Sequence, residues 1–206
     1  MTIVEEVPAT AHMSGDGAAA RKAMIDSQLR TSGVNAEFVL RRMAAVPRED
    51  FLPASARALA YTDRAVPLGE GRSLAAPVVQ GLMLQEAAPN AQDKVLLVDG
   101  GSGYLAELVR PLVASLETLD AAAALAESRK KGDCTLLLID GAIEQVPAGL
   151  ARRVAEGGRI VTGLVERGLT RLASGRKLGG EVMLLPLVDV GIPVLAEFNA
   201  PKGWSF

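Results

Sequence analysis

The sequence predicts an α/β fold: a mostly parallel sheet in the second half, closed by a C-terminal antiparallel hairpin and preceded by an N-terminal helical region. Two observations carry this. From Lys94 onward, short apolar runs (KVLLVD, 94–99; VASLE, 113–117; TLLLID, 135–140; RIVTGLV, 159–165) alternate with helix-like segments at 103–111, 120–131 and 147–156, as strands and crossover helices do in parallel sheets. After Val165 the pattern changes to two strand-like runs, 168–174 and 181–189, about a Gly179-Gly180 turn.

Composition narrows the function. In 206 residues, 49% apolar and 22% charged, there is enough material for a buried core and too much for wholesale disorder. Twenty-two Lys/Arg against 24 Asp/Glu leave a net charge of -2, with no global positive field to hold nucleic acid. One cysteine (Cys134) and one histidine (His12) exclude an intramolecular disulfide and a Cys/His zinc site, and a Ser-His-Asp triad would depend on His12. The start, MTIVEEVPATAH, is acidic where a secretory signal is basic. The best apolar run, 182–196, is broken by Pro186, Asp189, Gly191 and Pro193, short of the roughly 18–20 residues of a membrane span. The expectation is a soluble cytoplasmic protein with neither nucleic-acid nor membrane partners.

Residues 1–20, rich in Ala, Gly and Ser without a period, read as a flexible tail, with His12 a solvated bystander. A helix follows from Arg21, with Met24, Ile25 and Leu29 on one face and Gly33 as its stop. Asn35 is a candidate cap for the next helix, which Pro47 ends. A short helix near 54–60 precedes a proline- and glycine-rich ordered loop, and Pro77 opens a helix over 78–87. Cys134, ahead of an apolar strand, reads as a small core residue, and the aromatics Trp204 and Phe206 as a terminus docked on the body.

The local motif that bears chemistry is VDGGSGYLAEL, 98–108, in which a strand runs through a glycine turn into a helix. Gly101 and Gly103 allow close backbone approach to a ligand, and the helix start offers free N–H groups. Gly101-Ser102-Gly103-Tyr104-Leu105-Ala106 fits G-x-G-x-x-A, and Glu117 ends the next predicted strand, where an acid binds ribose hydroxyls. The motif suits a nicotinamide dinucleotide, S-adenosylmethionine or a plain tight turn; the acid favours a nucleoside. Tyr104 either borders that ligand or covers the helix start.

RKAMIDSQLR (21–30), VLRRMAAVPREDFLP (39–53), LAYTDRAVPLGEGRSLAAP (59–77), the GGSGY loop and EQVPAGLARRVAEGGRIVTGLV (144–165) together resemble protein-L-isoaspartate O-methyltransferases, over nearly everything from Arg21 onward. The resemblance implies a Rossmann-like class I methyltransferase sheet, S-adenosylmethionine as donor, and methyl transfer to isoaspartyl carboxylates of damaged proteins, the substrate partners. It divides the chain into a substrate-loop region, 21–87, and a methyltransferase domain, 88–206, forming one compact unit. It places Asp99, Gly100, Gly101, Ser102, Gly103, Tyr104 and Glu117 around the donor and Ser73 at the substrate carboxylate; Asp140 joins the donor set by its position at the neighbouring strand tip, where the family has a small hydroxyl residue.

Three departures from the family pattern carry expectations of their own. The donor loop, normally acid-x-Gly-x-Gly-x-Gly, here has Leu97 for the acid and Asp99 for the first glycine, so Asp99 is expected to intrude on the donor. Ala75 stands where the family serine binds the substrate carboxylate, leaving the hydroxyl of Ser73 nearby. Between Glu117 and Thr135 one helix of about 18 Å fits, so the third strand is expected to be missing and helix 120–131 to cross to the sheet face opposite helix 103–111. Asp99, Glu117 and Asp140 then share the carboxyl end of the sheet as solvated acids; without His or Cys beside them, no metal is expected. The alternative is a catalytically impaired member that acts as a binding or regulatory protein.

Overall fold

The computed structural model describes residues 10–126 and 132–200, with side chains from Gly17 onward. A six-stranded sheet runs in the order β4-β3-β5-β6-β7-β8, built from β3 (Lys94–Val98), β4 (Ser115–Leu119), β5 (Cys134–Ile143), β6 (Val154–Glu166), β7 (Leu169–Leu178) and β8 (Glu181–Asp189). The pairs β3–β4, β3–β5 and β5–β6 are parallel, and the two closing pairs are antiparallel. Because β4 is an edge, no third strand lies beyond it among the described residues. A small antiparallel hairpin, β1 (Val66–Gly69) with β2 (Arg72–Leu74), stands apart.

Alternation along the strands separates two apolar cores. Val95, Leu97, Leu136 and Leu138 face one side; Leu96, Val98, Leu137 and Ile139 face the other. The first core takes α2 (Glu37–Ala45), α3 (Pro77–Ala87) and α4 (Tyr104–Val109), the second α5 (Ala121–Leu125) and α6 (Ala148–Arg153). The helix after β4 therefore lies opposite the helix after β3, as the short connection requires. Residues 127–131, the rest of the expected helix, lie outside the described residues. Cys134 is buried in the second core, as expected.

Several boundaries differ from the sequence pattern. The first helix, α1, spans Thr10–Met24, so the expected tail is helical from residue 10; residues 1–9, the His12 side chain, Trp204 and Phe206 are outside the described set. Ala18-Ala19-Ala20 is a strong helix-forming run. At Gly17 an added Cβ would sit 2.7 Å from Glu49 Oε1, so the missing side chain lets α1 lie against the turn that carries Glu49. Strand β4 begins and ends two residues later than predicted. Ser115 donates its N–H to the Asp93 carbonyl at 3.3 Å and Asp99 donates to the Leu119 carbonyl at 2.8 Å, which sets the register from both ends. Strand β5 runs past Asp140 to Ile143 because the segment after β8 pairs with it: Ala142 donates to the Pro193 carbonyl at 2.8 Å and Leu195 donates back at 2.9 Å. No described helix is long and apolar enough to cross a membrane.

Candidate donor and substrate site

The chain reverses direction across the sheet between β3 and β5, which makes their carboxyl ends the crevice where α/β sheets take ligands. The glycine loop of residues 99–103 stands there. Gly100 packs so closely on the tip of β5 that a Cβ would come 2.2 Å from the Asp140 carbonyl oxygen, and Gly101 and Gly103 hold φ of +107° and +72°. These glycines let the chain turn into α4 while pressed against its neighbour strand.

Within that loop the groups expected to face a ligand are already engaged. The Asp99 carboxylate turns inward and accepts from Gly101 N at 3.0 Å and from Gly103 N at 2.9 Å; Ser102 Oγ accepts from Tyr104 N at 3.2 Å. Tyr104 itself is fully buried in the first core. Its ring stands edge-on to Phe51, centroids 5.2 Å apart, with the Arg48 guanidinium 4.7 Å from its centroid. Its ring thus points inward from the first turn of α4 into the core. Burial pushes its hydroxyl up to about 12, so it stays protonated.

Asp140 lies beside Asp99, and its side chain is buried. Gln80 on α3 donates to Oδ2 at 3.0 Å, and Gln80 Oε1 in turn accepts from Arg48 Nη1 at 2.7 Å. Arg48, with none of its surface exposed, also donates to the carbonyls of Ala60 (2.9 Å) and Ala75 (2.7 Å). Burial, with the charge of Asp99 added, pushes the Asp140 carboxyl up to about 7, against the Gln80 hydrogen bond and the Arg48 charge. Asp140 is thus a buried group in a relay, where a solvated acid was expected. Arg48 and Gln80 were missed as site residues. The available signal was Gln80 itself, a polar residue in the otherwise apolar PVVQGLM.

Glu117 does not join the other acids. The two-residue shift of β4 pairs it with Leu96 in mid-strand, and its Oε2 lies 2.6 Å from Arg153 Nη2 on α6. Asp120 follows the strand end instead, one carboxylate oxygen accepting from Ala123 N at 2.7 Å as the cap of α5. Ser73 sits half-buried in β2, and Ala75 is buried beneath the hairpin.

Two further elements cover the crevice. The Arg72 stem lies over Gly101, within 2.9 Å of where a Cβ would be, and Arg72 Nη2 pairs with Glu197 at 2.5 Å. Glu197 belongs to a 3₁₀ turn, Ala196–Phe198, whose Phe198 is buried with Ala121, Ala124 and Leu150. Leu195 just before it packs on Gly141, 2.5 Å from its missing Cβ. The C-terminal segment thus packs beside α5, the helix that follows the edge strand.

A glycine turn between parallel strands at the sheet's switch point, with a carboxyl-end acid on the neighbouring strand and an antiparallel pair closing the sheet, defines a protein of the Rossmann-like methyltransferase class. The family described as protein-L-isoaspartate(D-aspartate) O-methyltransferase matches residues 19–130, which span the helical region, the β1–β2 hairpin and the glycine loop. The chain belongs to that family. A protein-L-isoaspartate O-methyltransferase of Roseiflexus castenholzii is 32% identical over 194 residues, covering 82% of this chain and 88% of the relative. One from Methanoculleus marisnigri is 27% identical, covering 90% and 94%. Among solved structures, a Plasmodium falciparum protein described as a protein-L-isoaspartate O-methyltransferase in complex with S-adenosyl-L-homocysteine superposes with a TM-score of 0.69 at 17% identity, over 86% of this chain and 98% of that one.

Proposed function

We propose that the protein transfers a methyl group from S-adenosylmethionine to the free α-carboxylate of isoaspartyl residues in damaged cytoplasmic proteins. The observation that carries this reading is the glycine loop pressed on the tip of β5 at the switch point of a family-type sheet. The donor supplies an electrophilic methyl on a sulfonium, whose carbon–sulfur bond electrons leave on sulfur. A carboxylate is nucleophilic without a general base, so the protein's task is alignment and exclusion of water. That fits a chain whose single histidine lies far upstream of the loop.

The residues present fit the nucleoside half of such a donor. Gly101 and Gly103 give close backbone approach, and Asp120, with one oxygen committed to the α5 cap, keeps the other for ribose hydroxyls, a role first expected of Glu117. On the substrate side, Ser73 on the β1–β2 hairpin provides the hydroxyl that Ala75 lacks. The Arg48–Gln80–Asp140 relay ties the substrate-loop region to the strand tip and holds both halves in one geometry. Esterification converts a poor leaving group into methoxide, so the following backbone nitrogen can close a succinimide with loss of methanol. Incubation with methyl-labelled donor and paired isoaspartyl and aspartyl peptides tests this: label is expected in a base-labile ester on the isoaspartyl peptide only. Donor binding without such transfer sinks the substrate assignment.

A further inference from the structure

The donor loop contains its own carboxylate. Asp99 spans it, one oxygen on the N–H of Gly101 and the other on the N–H of Gly103, while Ser102 takes the N–H of Tyr104. S-adenosylmethionine has no phosphate; its one anionic group is the carboxylate of its amino-acid end, and backbone N–H groups of a glycine loop are the natural partners of such a group. Here both are taken by a side chain that carries the same charge. A ligand carboxylate that displaced Asp99 would also stand near the buried Asp140. The bordering cations offer no compensation, since Arg72 pairs with Glu197 and Arg48 is committed to Gln80, Ala60 and Ala75.

We infer that Asp99 weakens the hold of this crevice on the carboxylate of S-adenosylmethionine, so that the donor is held by its nucleoside and sulfonium, and a nucleoside sulfonium that carries an amine and no carboxylate binds more tightly. The inference rests on the nucleoside-donor reading above. Asp99 does for the loop what a ligand carboxylate would otherwise do, and its charge favours a cationic chain. An Asp at this position therefore leaves the nucleoside subsite usable and weakens the amino-acid subsite.

The test is calorimetric titration of the full chain and of Asp99→Gly and Asp99→Asn with two ligands that differ only by one group, S-adenosylmethionine and its decarboxylated form. Wild type is expected to bind the decarboxylated form at least about tenfold more tightly, the scale of one charge-assisted hydrogen bond lost. Asp99→Gly is expected to gain affinity for S-adenosylmethionine by about tenfold with little change for the other ligand. Asp99→Asn, with one acceptor oxygen and no charge, is expected to fall between, and it carries the test should the glycine variant not fold by circular dichroism. A wild type that prefers S-adenosylmethionine, or a preference unchanged in the folded variants, overturns the role of Asp99 and leaves the donor reading standing. Failure of wild type and both folded variants to bind either ligand overturns the donor reading, and this inference with it.

Discussion

Asp140 offers the sharpest handle on the interior of the site, through Asp140→Asn. Its carboxyl is pushed from 3.8 to about 7 by burial first and by the charge of Asp99 second, so the folded protein holds its proton far more tightly than the unfolded chain does. A raised carboxyl pKa contributes stability below the unfolded value, and that contribution is lost as pH rises through the folded value. Here the window runs from about pH 4 to about pH 7 and is flat above it. Roughly three pH units at 1.36 kcal/mol each set an upper scale of about 4 kcal/mol. Asparagine keeps the shape and an acceptor for Gln80 Nε2 but never ionises. The asparagine variant is therefore expected to match wild type below about pH 4, to exceed it in stability by a margin that grows up to about pH 7, and to hold that margin to pH 8. Urea unfolding of both proteins at half-unit pH steps measures the difference directly. A stability difference independent of pH from about pH 4 to pH 8 would refute the reasoning, because it would mean that Asp140 titrates in the folded protein as it does in the unfolded chain.

Arg48→Met leaves three buried acceptors without a donor and is expected to destabilise by about 3–5 kcal/mol in denaturant melts, the scale of a broken buried charge network. Glu197→Gln removes a partly exposed ion pair to Arg72, so stability should change by less than about 1 kcal/mol. Its expected signature is local, with faster hydrogen exchange at the Leu195 and Ala142 amides that dock the C-terminal segment. Ala75→Ser restores a hydroxyl at the family's serine position and is expected to raise kcat/KM for an isoaspartyl peptide by about tenfold; no gain would mean that Ser73 already fills that role.

The alternation of apolar runs and helices, the closing hairpin, the glycine turn and the brevity of the segment after Glu117 were all legible in the chain, because each is a local property. Strand hydrophobicity and crossover length do not depend on what a strand meets. From them the sheet class, β4 as the sheet edge among the described residues and the opposite faces of α4 and α5 followed. Glu117 shows where that reading ended. Its strand was seen, but the register was set by Asp93 at one end and by the glycine loop at the other, and two residues of slip moved the acid from the strand tip to an ion pair with Arg153. Likewise the segment 10–20 carried no apolar period; what holds its helix is the close approach of Gly17 to Glu49 and the bonds of Arg21 to Tyr61 and Ala44, groups distant in sequence.

The sequence by itself determined the family, the order of elements and the anomaly at Asp99, since these reside in residue types and their spacing. Only the tertiary structure decided which way that carboxylate turns, that Gln80 joins Arg48 to Asp140, and that Arg72 meets Glu197 across 125 positions of chain to cover the loop. The physical reason is the same in each case. A polar side chain's partner is chosen by what burial brings within hydrogen-bond reach, and no local pattern records that choice.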